Sequence, residues 1–341
     1  MEPVHVILYP DSVAQDGLAI ERNEAADLAE VVVFPGRSRG DVPEADWARA
    51  DALVTGLHMP IDEEIIDGLG QCRIITRLGV GYDLIDTRAA GRRGIMVCNV
   101  PDYGTTEVAD HALALILTFA RGIVQFHERF LRTEDPIWDY SASPTVTRLA
   151  GKRLGVIGLG RIGTAAAMRA KGFGLRVAAY DPYIPDGQEL ALGVERFHDL
   201  RAMLGACDFL TVHCLANAET DNLIDRAAVA AMKPGAILVN TARGAIVDLD
   251  AVQWGLETGH LGAAGLDVFP EEPPPADHPL MRAWRAREAW VRDRLVITPH
   301  AAFYSAAGFD FLRRKALRTC LDYLEDGRLN NCVNGQYLAD R

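Results

Sequence analysis

Short β-rich runs alternate with helical stretches along most of this chain, and this alternation is the feature that most constrains its fold. In the first hundred residues the pattern predicts strands over Val4–Tyr9, Val31–Phe34, Ala52–Thr55, Arg73–Arg77 and Ile95–Val97, with helices such as Asp62–Leu69 and Ile85–Arg92. A second series predicts strands over Arg153–Gly158, Arg176–Tyr180, Phe209–His213, Ile237–Asn240, Ala263–Asp267 and Leu295–Thr298. Because helices between strands cover both faces of a parallel sheet, we expect two doubly wound parallel-sheet α/β domains.

The composition fits two soluble domains and disfavours several kinds of partner. A chain of 341 residues, 49% hydrophobic and 24% charged, is long enough for two domains with sizeable cores. Its net charge of −12 argues against binding to nucleic acid or to anionic membranes, because both need a basic surface. Small anionic substrates remain possible, since one or two local arginines suffice for them.

The cysteines and the apolar segments predict a cytoplasmic protein. None of the six cysteines forms a C-x-x-C pair, and several lie in apolar runs, so we expect reduced, buried thiols. The first residues contain no basic segment leading into an apolar one, and the apolar stretch Ala112–Ala120 is too short to cross a bilayer.

A glycine-rich turn, Gly158-Leu159-Gly160-Arg161-Ile162-Gly163, lies between a predicted strand and a helix that runs to Gly172. Gly158 permits a tight turn, Gly160 lets the backbone approach a pyrophosphate, and Gly163 lets the helix and strand pack closely. The helix N-terminus would then face the phosphates with free N–H groups. The turn therefore predicts a dinucleotide site.

Asp181 ends the next predicted strand and favours one dinucleotide over the other. An acidic side chain about 20 residues past the glycines can hold both hydroxyls of the adenosine ribose, and it would repel a 2′-phosphate. We therefore predict NAD rather than NADP. Arg161 and Ile162 begin the helix at the phosphates, where Arg161 either contacts the pyrophosphate or is solvated.

Three side chains suited to acid–base chemistry occur later in the chain. Arg243 and His300 each follow an apolar strand, and ligands bind at the carboxyl ends of strands in open α/β sheets. A guanidinium binds a carboxylate through two hydrogen bonds, and an imidazole can protonate a carbonyl oxygen near neutral pH. Glu272, or its neighbour Glu271, is expected to hold the imidazole and favour its protonated form. Together the three predict hydride transfer involving a 2-keto or 2-hydroxy acid, with no need for a metal.

The motifs around these residues resemble the D-isomer-specific 2-hydroxyacid dehydrogenase family. They are N-T-A-R-G-x-x-V-D from Asn240, D-V-F-x-x-E-P from Asp267 and T-P-H-x-A from Thr298, and the resemblance covers nearly the whole chain. It implies that Arg243 binds substrate, that Glu272 rather than Glu271 supports His300, and that His300 is the general acid/base. It also implies a D (R) product and a homodimer built on the predicted helix Thr106–Leu131.

The same resemblance implies further contacts. The substrate carboxylate would be bound by the loop that contains Arg77, Gly79, Val80 and Gly81. Asp267 would lie near the nicotinamide carboxamide. The cofactor would also contact three more residues, namely Cys214, Thr241 and Ala242. His213, beside Cys214, is expected to be structural.

Finer features are most similar to the C-terminal-binding-protein branch of that family. Thr298–Ser305 and the tail Asn331-Cys332-Val333-Asn334 carry this likeness, but Phe303 stands where that branch has a tryptophan in its substrate pocket. An aromatic wall is retained without the indole N–H donor. In that branch the fold serves as an NAD-responsive corepressor scaffold, which is the alternative to an enzyme. Oxidation of formate or phosphite is a second alternative.

The domain boundaries follow from the positions of the two alternating series. Residues 1–100 with 301–341, including a helix over about Ala306–Leu324, are predicted to form a flavodoxin-like substrate domain. Residues 101–300 are predicted to form a Rossmann NAD domain, with substrate in the cleft between the two. The segment His278–Arg294 is longer than the family leads us to expect, and we interpret it as an amphipathic turn whose Trp284 and Trp290 cover apolar surface.

Overall fold

The chain divides into two units, Met1–Gly104 with Ser305–Arg341, and Thr105–Tyr304. The computed structural model describes residues 5–12, 14, 16–132, 138–141 and 143–338. Both boundaries lie four residues beyond the predicted ones, at 104 and 304 rather than 100 and 300. The predicted strand start at Val4 and the last three residues of the predicted tail, 339–341, lie outside the described residues.

The smaller unit contains a parallel sheet of five strands. In chain order these are β1 (His5–Tyr9), β2 (Ala29–Val33), β3 (Ala52–Thr55), β4 (Ile74–Arg77) and β5 (Met96–Cys98). Their spatial order is β2-β1-β3-β4-β5, which is the flavodoxin-like order. One apolar cluster covers each face of the sheet. The predicted fold class is confirmed for this unit.

The larger unit contains a parallel sheet of seven strands. These are β6 (Arg153–Ile157), β7 (Arg176–Tyr180), β8 (Glu195–Phe197), β9 (Phe209–Val212), β10 (Ala236–Asn240), β11 (Leu261–Leu266) and β12 (Leu295–Ile297). Their order, β12-β11-β10-β9-β6-β7-β8, is the Rossmann order extended by one strand. The order reverses between β6 and β9, so a crevice for a ligand is expected at the carboxyl ends of these two strands.

The described residues contain thirteen α-helices. They are α1 (Ala19–Ala25), α2 (Glu44–Arg49), α3 (Glu63–Gly68), α4 (Thr87–Arg92), α5 (Thr105–Arg121), α6 (Ile123–Arg132), α7 (Arg161–Gly172), α8 (Gln188–Leu192), α9 (Leu200–Ala206), α10 (Arg226–Ala231), α11 (Leu249–Glu257), α12 (Pro279–Ala286) and α13 (Ala306–Asp326). Many begin at a side chain that accepts a hydrogen bond from the first turn, as Asp62 does for α3, Asp225 for α10 and Ser305 for α13. Each such cap stabilises its helix by about 1 kcal/mol. None of the helices in the described part of the chain is long and apolar enough to cross a membrane.

The prediction of one continuous helix over Thr106–Leu131 was wrong. The structure has two helices, α5 and α6, separated by Gly122. Gly122 has a φ of +65°, in the left-handed region that ends helices and favours glycine. A Cβ at Gly122 would also lie 2.8 Å from the Val146 side chain, so the break is built into the packing there.

The segment His278–Arg294 forms helix α12 followed by turns. Trp284 and Trp290 are half-buried and pack against the main apolar cluster of the larger unit, together with Trp254. Gln125 of α6 donates a hydrogen bond to Asp293 O (2.9 Å). The tryptophans therefore cover apolar surface, as the sequence predicts.

Candidate active site

Two of the three glycines in the turn after β6 are required by the fold itself. Gly158 has a φ of +89°, and a Cβ there would lie 2.5 Å from the backbone N of Cys214. A Cβ at Gly163 would lie 1.9 Å from Gly158 O. Gly160 differs, because nothing lies within 4 Å of the position of its missing Cβ. The open space at Gly160 is what the approach of a pyrophosphate requires.

The N-terminus of α7 and the end of β7 complete this turn. Gly160 caps α7 without a side-chain hydrogen bond, so the first N–H groups of the helix have no side-chain acceptor among the described residues. Arg161 is exposed and Ile162 is half-buried at this end. Asp181 follows β7 and accepts hydrogen bonds from Leu159 N (2.8 Å) and Tyr183 N (2.9 Å), which fixes its carboxylate against the turn.

Two buried polar atoms without partners lie in the segments after β9 and β10. These strands are neighbours, and Val212 pairs with Asn240, so His213 and Thr241 follow at the same edge of the sheet. Neither His213 Nδ1 nor Thr241 Oγ1 has a hydrogen-bond partner within the part of the chain that the structure describes. Buried polar atoms usually have partners, so this edge is suited to a polar ligand such as a dinucleotide.

Cys214 and Ala242, which follow His213 and Thr241 in the sequence, were predicted together with Thr241 to contact the cofactor. Burial raises the pKa of the Cys214 thiol to about 11, so the thiol is neutral. Burial lowers the pKa of His213 to about 4, and its Nε2 lies 2.9 Å from Thr211 Oγ1. His213 is thus a neutral ring whose Nε2 has a local partner, and the expectation that it is structural stays a prediction. Ala242 N donates to Asn240 Oδ1 (3.0 Å).

His300 and Glu272 are brought together as the sequence predicts. His300 Nδ1 lies 2.7 Å from Glu272 Oε2, and the two side chains are 20% and 36% exposed. Because a carboxylate only accepts hydrogen bonds, Nδ1 carries the proton in this pair, and Nε2 is the ring atom left for a reacting group. The partner is Glu272 and not Glu271.

The carboxyl of Glu272 stays ionised in this setting. Burial raises its pKa, but hydrogen bonds from His300 and from Phe269 N (3.0 Å), together with the charges of His300 and Arg243, outweigh burial. The net pKa of Glu272 lies below its usual value. A negative charge is therefore held next to the imidazole at neutral pH.

Asp267 fixes the backbone of the segment that contains His300. His300 N donates to Asp267 O (2.8 Å), and the carboxylate of Asp267 accepts from Ala301 N (2.8 Å), Ala302 N (3.0 Å) and Thr298 Oγ1 (2.5 Å). His300 itself has a φ of +51°, which costs on the order of 1 to 3 kcal/mol for a residue with a Cβ. Such a conformation persists only where its surroundings enforce it, and Asp267 supplies that enforcement.

Arg243 lies three residues after the end of β10 at Asn240 and is half-buried. Its Nη1 donates to Ala242 O (2.8 Å), and its own carbonyl accepts from Asn240 Nδ2 (2.9 Å). Gly244 allows the loop that contains Arg243 to approach Phe269 closely, because a Cβ at Gly244 would lie 1.8 Å from the Phe269 backbone. The loop after β10 therefore packs against the segment that leads to Glu272, and Arg243 is near enough to lower the pKa of Glu272.

Phe303 lies beside the imidazole. Its ring centroid is 6.0 Å from that of His300, with an angle of 79° between the planes. This edge-to-face contact places an apolar wall against His300. Phe303 therefore lies in the same unit as the Glu272–His300 pair, and its role in lining the substrate pocket stays a prediction.

The predicted carboxylate-binding loop follows β4 in the smaller unit. Gly79 has a φ of +151° and donates from its N–H to Arg77 O (2.8 Å). The buried Arg77 side chain donates to Leu78 O, and Asn99 Nδ2 donates to Val80 O (2.6 Å). Gly81 is half-buried next to them. The loop is thus held by its own unit, and its role toward substrate stays a prediction.

His111 of α5 is a residue that sequence reasoning missed. Its Nε2 lies 3.1 Å from Thr298 Oγ1 and 3.9 Å from Asp267 Oδ1. It lies outside all of the quoted motifs, and nothing in the sequence of helix α5 distinguishes it from other polar residues there, such as Asp110.

Comparisons with known proteins agree with this geometry. A D-3-phosphoglycerate dehydrogenase from Mycobacterium leprae is 38% identical over 98% of this chain and 58% of its own length. A glyoxylate reductase from Korarchaeum cryptofilum is 40% identical over 74% of this chain and 73% of its own length. The crystal structure of a D-lactate dehydrogenase from Aquifex aeolicus, complexed with NAD and lactic acid, superposes with a TM-score of 0.83 at 26% identity, covering 94% of this chain and 95% of that one.

The chain spans only 52% and 58% of the length of two D-3-phosphoglycerate dehydrogenases that it matches. Residues 113–302 match the family described as D-isomer specific 2-hydroxyacid dehydrogenase, NAD binding domain. Those residues include the glycine-rich turn, Asp181 and the Glu272–His300 pair. This chain therefore belongs to the D-isomer-specific 2-hydroxyacid dehydrogenase family, and its larger unit contains the NAD-binding domain of that family.

Proposed function

We propose that this protein is an NAD-dependent reductase of 2-keto acids, which runs in reverse as a D-2-hydroxyacid dehydrogenase. The observation that supports this most strongly is the 2.7 Å contact between His300 Nδ1 and Glu272 Oε2, in the same unit as the dinucleotide turn. The named relatives, a glyoxylate reductase and D-3-phosphoglycerate dehydrogenases, favour a small or phosphorylated 2-hydroxy acid as the class of substrate.

In the proposed reaction, NADH held at the glycine-rich turn and Asp181 would supply the hydride that reduces C2 of the keto acid. As C2 gains the hydride, the carbonyl oxygen gains negative charge and takes the proton from His300 Nε2. Glu272 remains ionised and stabilises the imidazolium before transfer, while Arg243 binds the carboxylate and polarises the carbonyl. In the reverse direction His300 accepts the hydroxyl proton.

The loop of Arg77, Gly79, Val80 and Gly81 is proposed to add backbone N–H groups to the substrate carboxylate. Phe303 is proposed to limit the size of the group attached to C2. Both assignments follow from the family resemblance, with Phe303 also supported by its contact with His300.

The assay is NADH oxidation at 340 nm across 2-keto acids that are small, phosphorylated or aromatic. Deuterated NADH would then show whether the label reaches C2 of a D product. Turnover with the label at C2 supports the proposal. If no keto acid is reduced although NADH binds tightly, the nucleotide-responsive scaffold of the C-terminal-binding-protein branch becomes the better account.

We further propose that the protein is a homodimer and that α6 contributes to the contact. Ile123, Val124, Phe130 and Leu131 on this helix are 40 to 69% exposed, which leaves apolar surface uncovered in the single chain. An exposed apolar patch of this kind often marks an interface. A mass near 37.2 kDa by light scattering, the value of one chain, would contradict this assignment.

A further inference from the structure

His111 connects a buried helix to the segment that contains His300. Its side chain is 25% exposed, and its Nε2 approaches Thr298 Oγ1 at 3.1 Å. We propose that His111 is a positioning residue, which acts through Thr298 and Asp267 to hold His300 in the geometry needed for proton transfer. This inference rests on the proposed function, because it concerns the placement of the proposed general acid.

The directions of the hydrogen bonds follow from the chemistry of the three groups. The carboxylate of Asp267 can only accept, so the hydroxyl of Thr298 donates its single proton across the 2.5 Å contact to Asp267 Oδ1. That hydroxyl must then accept in its contact with His111. Nε2 of His111 therefore carries a proton, and donation runs from His111 to Thr298 and from Thr298 to Asp267.

Asp267 links this series of hydrogen bonds to the backbone of His300, the proposed catalytic residue. Its carboxylate also accepts from Ala301 N and Ala302 N, and its carbonyl accepts from His300 N. These bonds enforce the left-handed conformation of His300, with its φ of +51°. By orienting the Thr298 hydroxyl toward Asp267, His111 thus helps to hold the strained backbone of His300.

Helix α5 holds His111 in a fixed position. Three residues that follow His111 on the same helix, Ala112, Leu115 and Ile116, are almost completely buried. Packing in the core therefore fixes the backbone of His111. Because its backbone is fixed, the ring can hold the Thr298 hydroxyl in one orientation. Catalytic groups are most accurately placed when rigid elements and hydrogen-bonded neighbours support them.

The test compares His111→Leu, which removes the donor, with His111→Gln, whose amide N–H can replace Nε2–H. His198→Leu, which removes an exposed histidine of the same unit, is the matched control. We expect kcat to fall about tenfold in His111→Leu, because small misplacements of a catalytic group have effects of this order. KM should change less than kcat, and His111→Gln should recover most of the activity, whereas His198→Leu should match the wild type.

Thr298→Val removes the hydroxyl between His111 and Asp267. If His111 acts through Thr298, adding His111→Leu to Thr298→Val should cause little further loss, so the two effects should not be additive. Additive losses would overturn the proposed route.

The remaining outcomes separate this inference from the proposed function. An active wild type with an equally active His111→Leu would overturn the inference alone. Equal losses of melting temperature in His111→Leu and His111→Gln, with unchanged kcat, would show a merely structural role and overturn it too. A wild type that reduces no keto acid would contradict the proposed function, and the inference would fall with it.

Discussion

Two alanine substitutions in the same turn should have opposite consequences, because Gly160 and Gly163 meet different surroundings. A Cβ at Gly160 has nothing within 4 Å, whereas a Cβ at Gly163 would lie 1.9 Å from Gly158 O. Gly160→Ala should therefore fold normally and obstruct only the bound pyrophosphate. Gly163→Ala should destabilise the domain whether or not a dinucleotide is present.

The magnitudes follow from these contacts. At Gly163 a carbon cannot approach a carbonyl oxygen to 1.9 Å, so the helix and strand must separate, which costs about 2 to 3 kcal/mol. For a unit of about 200 residues this lowers the melting temperature by about 4 to 12 °C. At Gly160 the same kind of overlap falls on the ligand, and about 1 to 3 kcal/mol of lost binding raises the Kd of NADH between about fivefold and a hundredfold.

The assays are thermal unfolding without nucleotide and a fluorescence titration with NADH. We expect Gly160→Ala to melt within about 2 °C of the wild type and to bind NADH at least about fivefold more weakly. Gly163→Ala should melt well below both. The reasoning would be refuted by Gly160→Ala binding NADH as tightly as the wild type, or by Gly163→Ala keeping the wild-type melting temperature.

Two further predictions concern charged groups. Arg243→Lys keeps the positive charge but loses the bidentate guanidinium donor, so kcat/KM for the keto acid should fall at least about tenfold. Steady-state kinetics measure kcat/KM. An unchanged value would contradict carboxylate binding by Arg243. Burial opposes ionisation of Asp208, but the hydrogen bond from Arg153 N and the charges of Lys233 and Lys152 outweigh it and hold its pKa below its usual value of 3.8. Ionised Asp208 therefore stabilises the folded protein above about pH 4, and this contribution is lost as the pH falls through the lowered pKa. Urea unfolding should show that Asp208→Asn weakens the acid dependence below about pH 4, and an identical dependence in both proteins would argue against this role.

The features predicted best from the sequence are those with a short-range pattern of residues. The strand before Gly158, the glycine spacing and the helix after it all have short-range signals, and the structure contains them in that order. The residues alone left Glu271 and Glu272 as possible partners of His300, the family resemblance implied Glu272, and the structure brings Glu272 and His300 together.

Other features were missed because they depend on tertiary packing. Gly122 lies inside an apolar helical stretch of the sequence, yet it has a left-handed φ that ends α5, and the side chains of Val146 and Phe126 leave no room there for a Cβ. The short elements α8 and β8 were not predicted, since a strand of three residues at the edge of a sheet has almost no periodicity to detect. The role we propose for His111 depends on a partner that lies 187 residues away.

The most direct test of the proposed reaction is the turnover of His300→Gln beside the wild type, on the best keto acid of the panel. His198→Gln, which alters an exposed histidine of the same unit, serves as the control. We predict that kcat of His300→Gln falls by about a hundredfold or more, as expected for loss of a general acid, while NADH still binds. A His300→Gln protein that reduces the keto acid within about threefold of the wild-type rate would contradict general acid catalysis by His300.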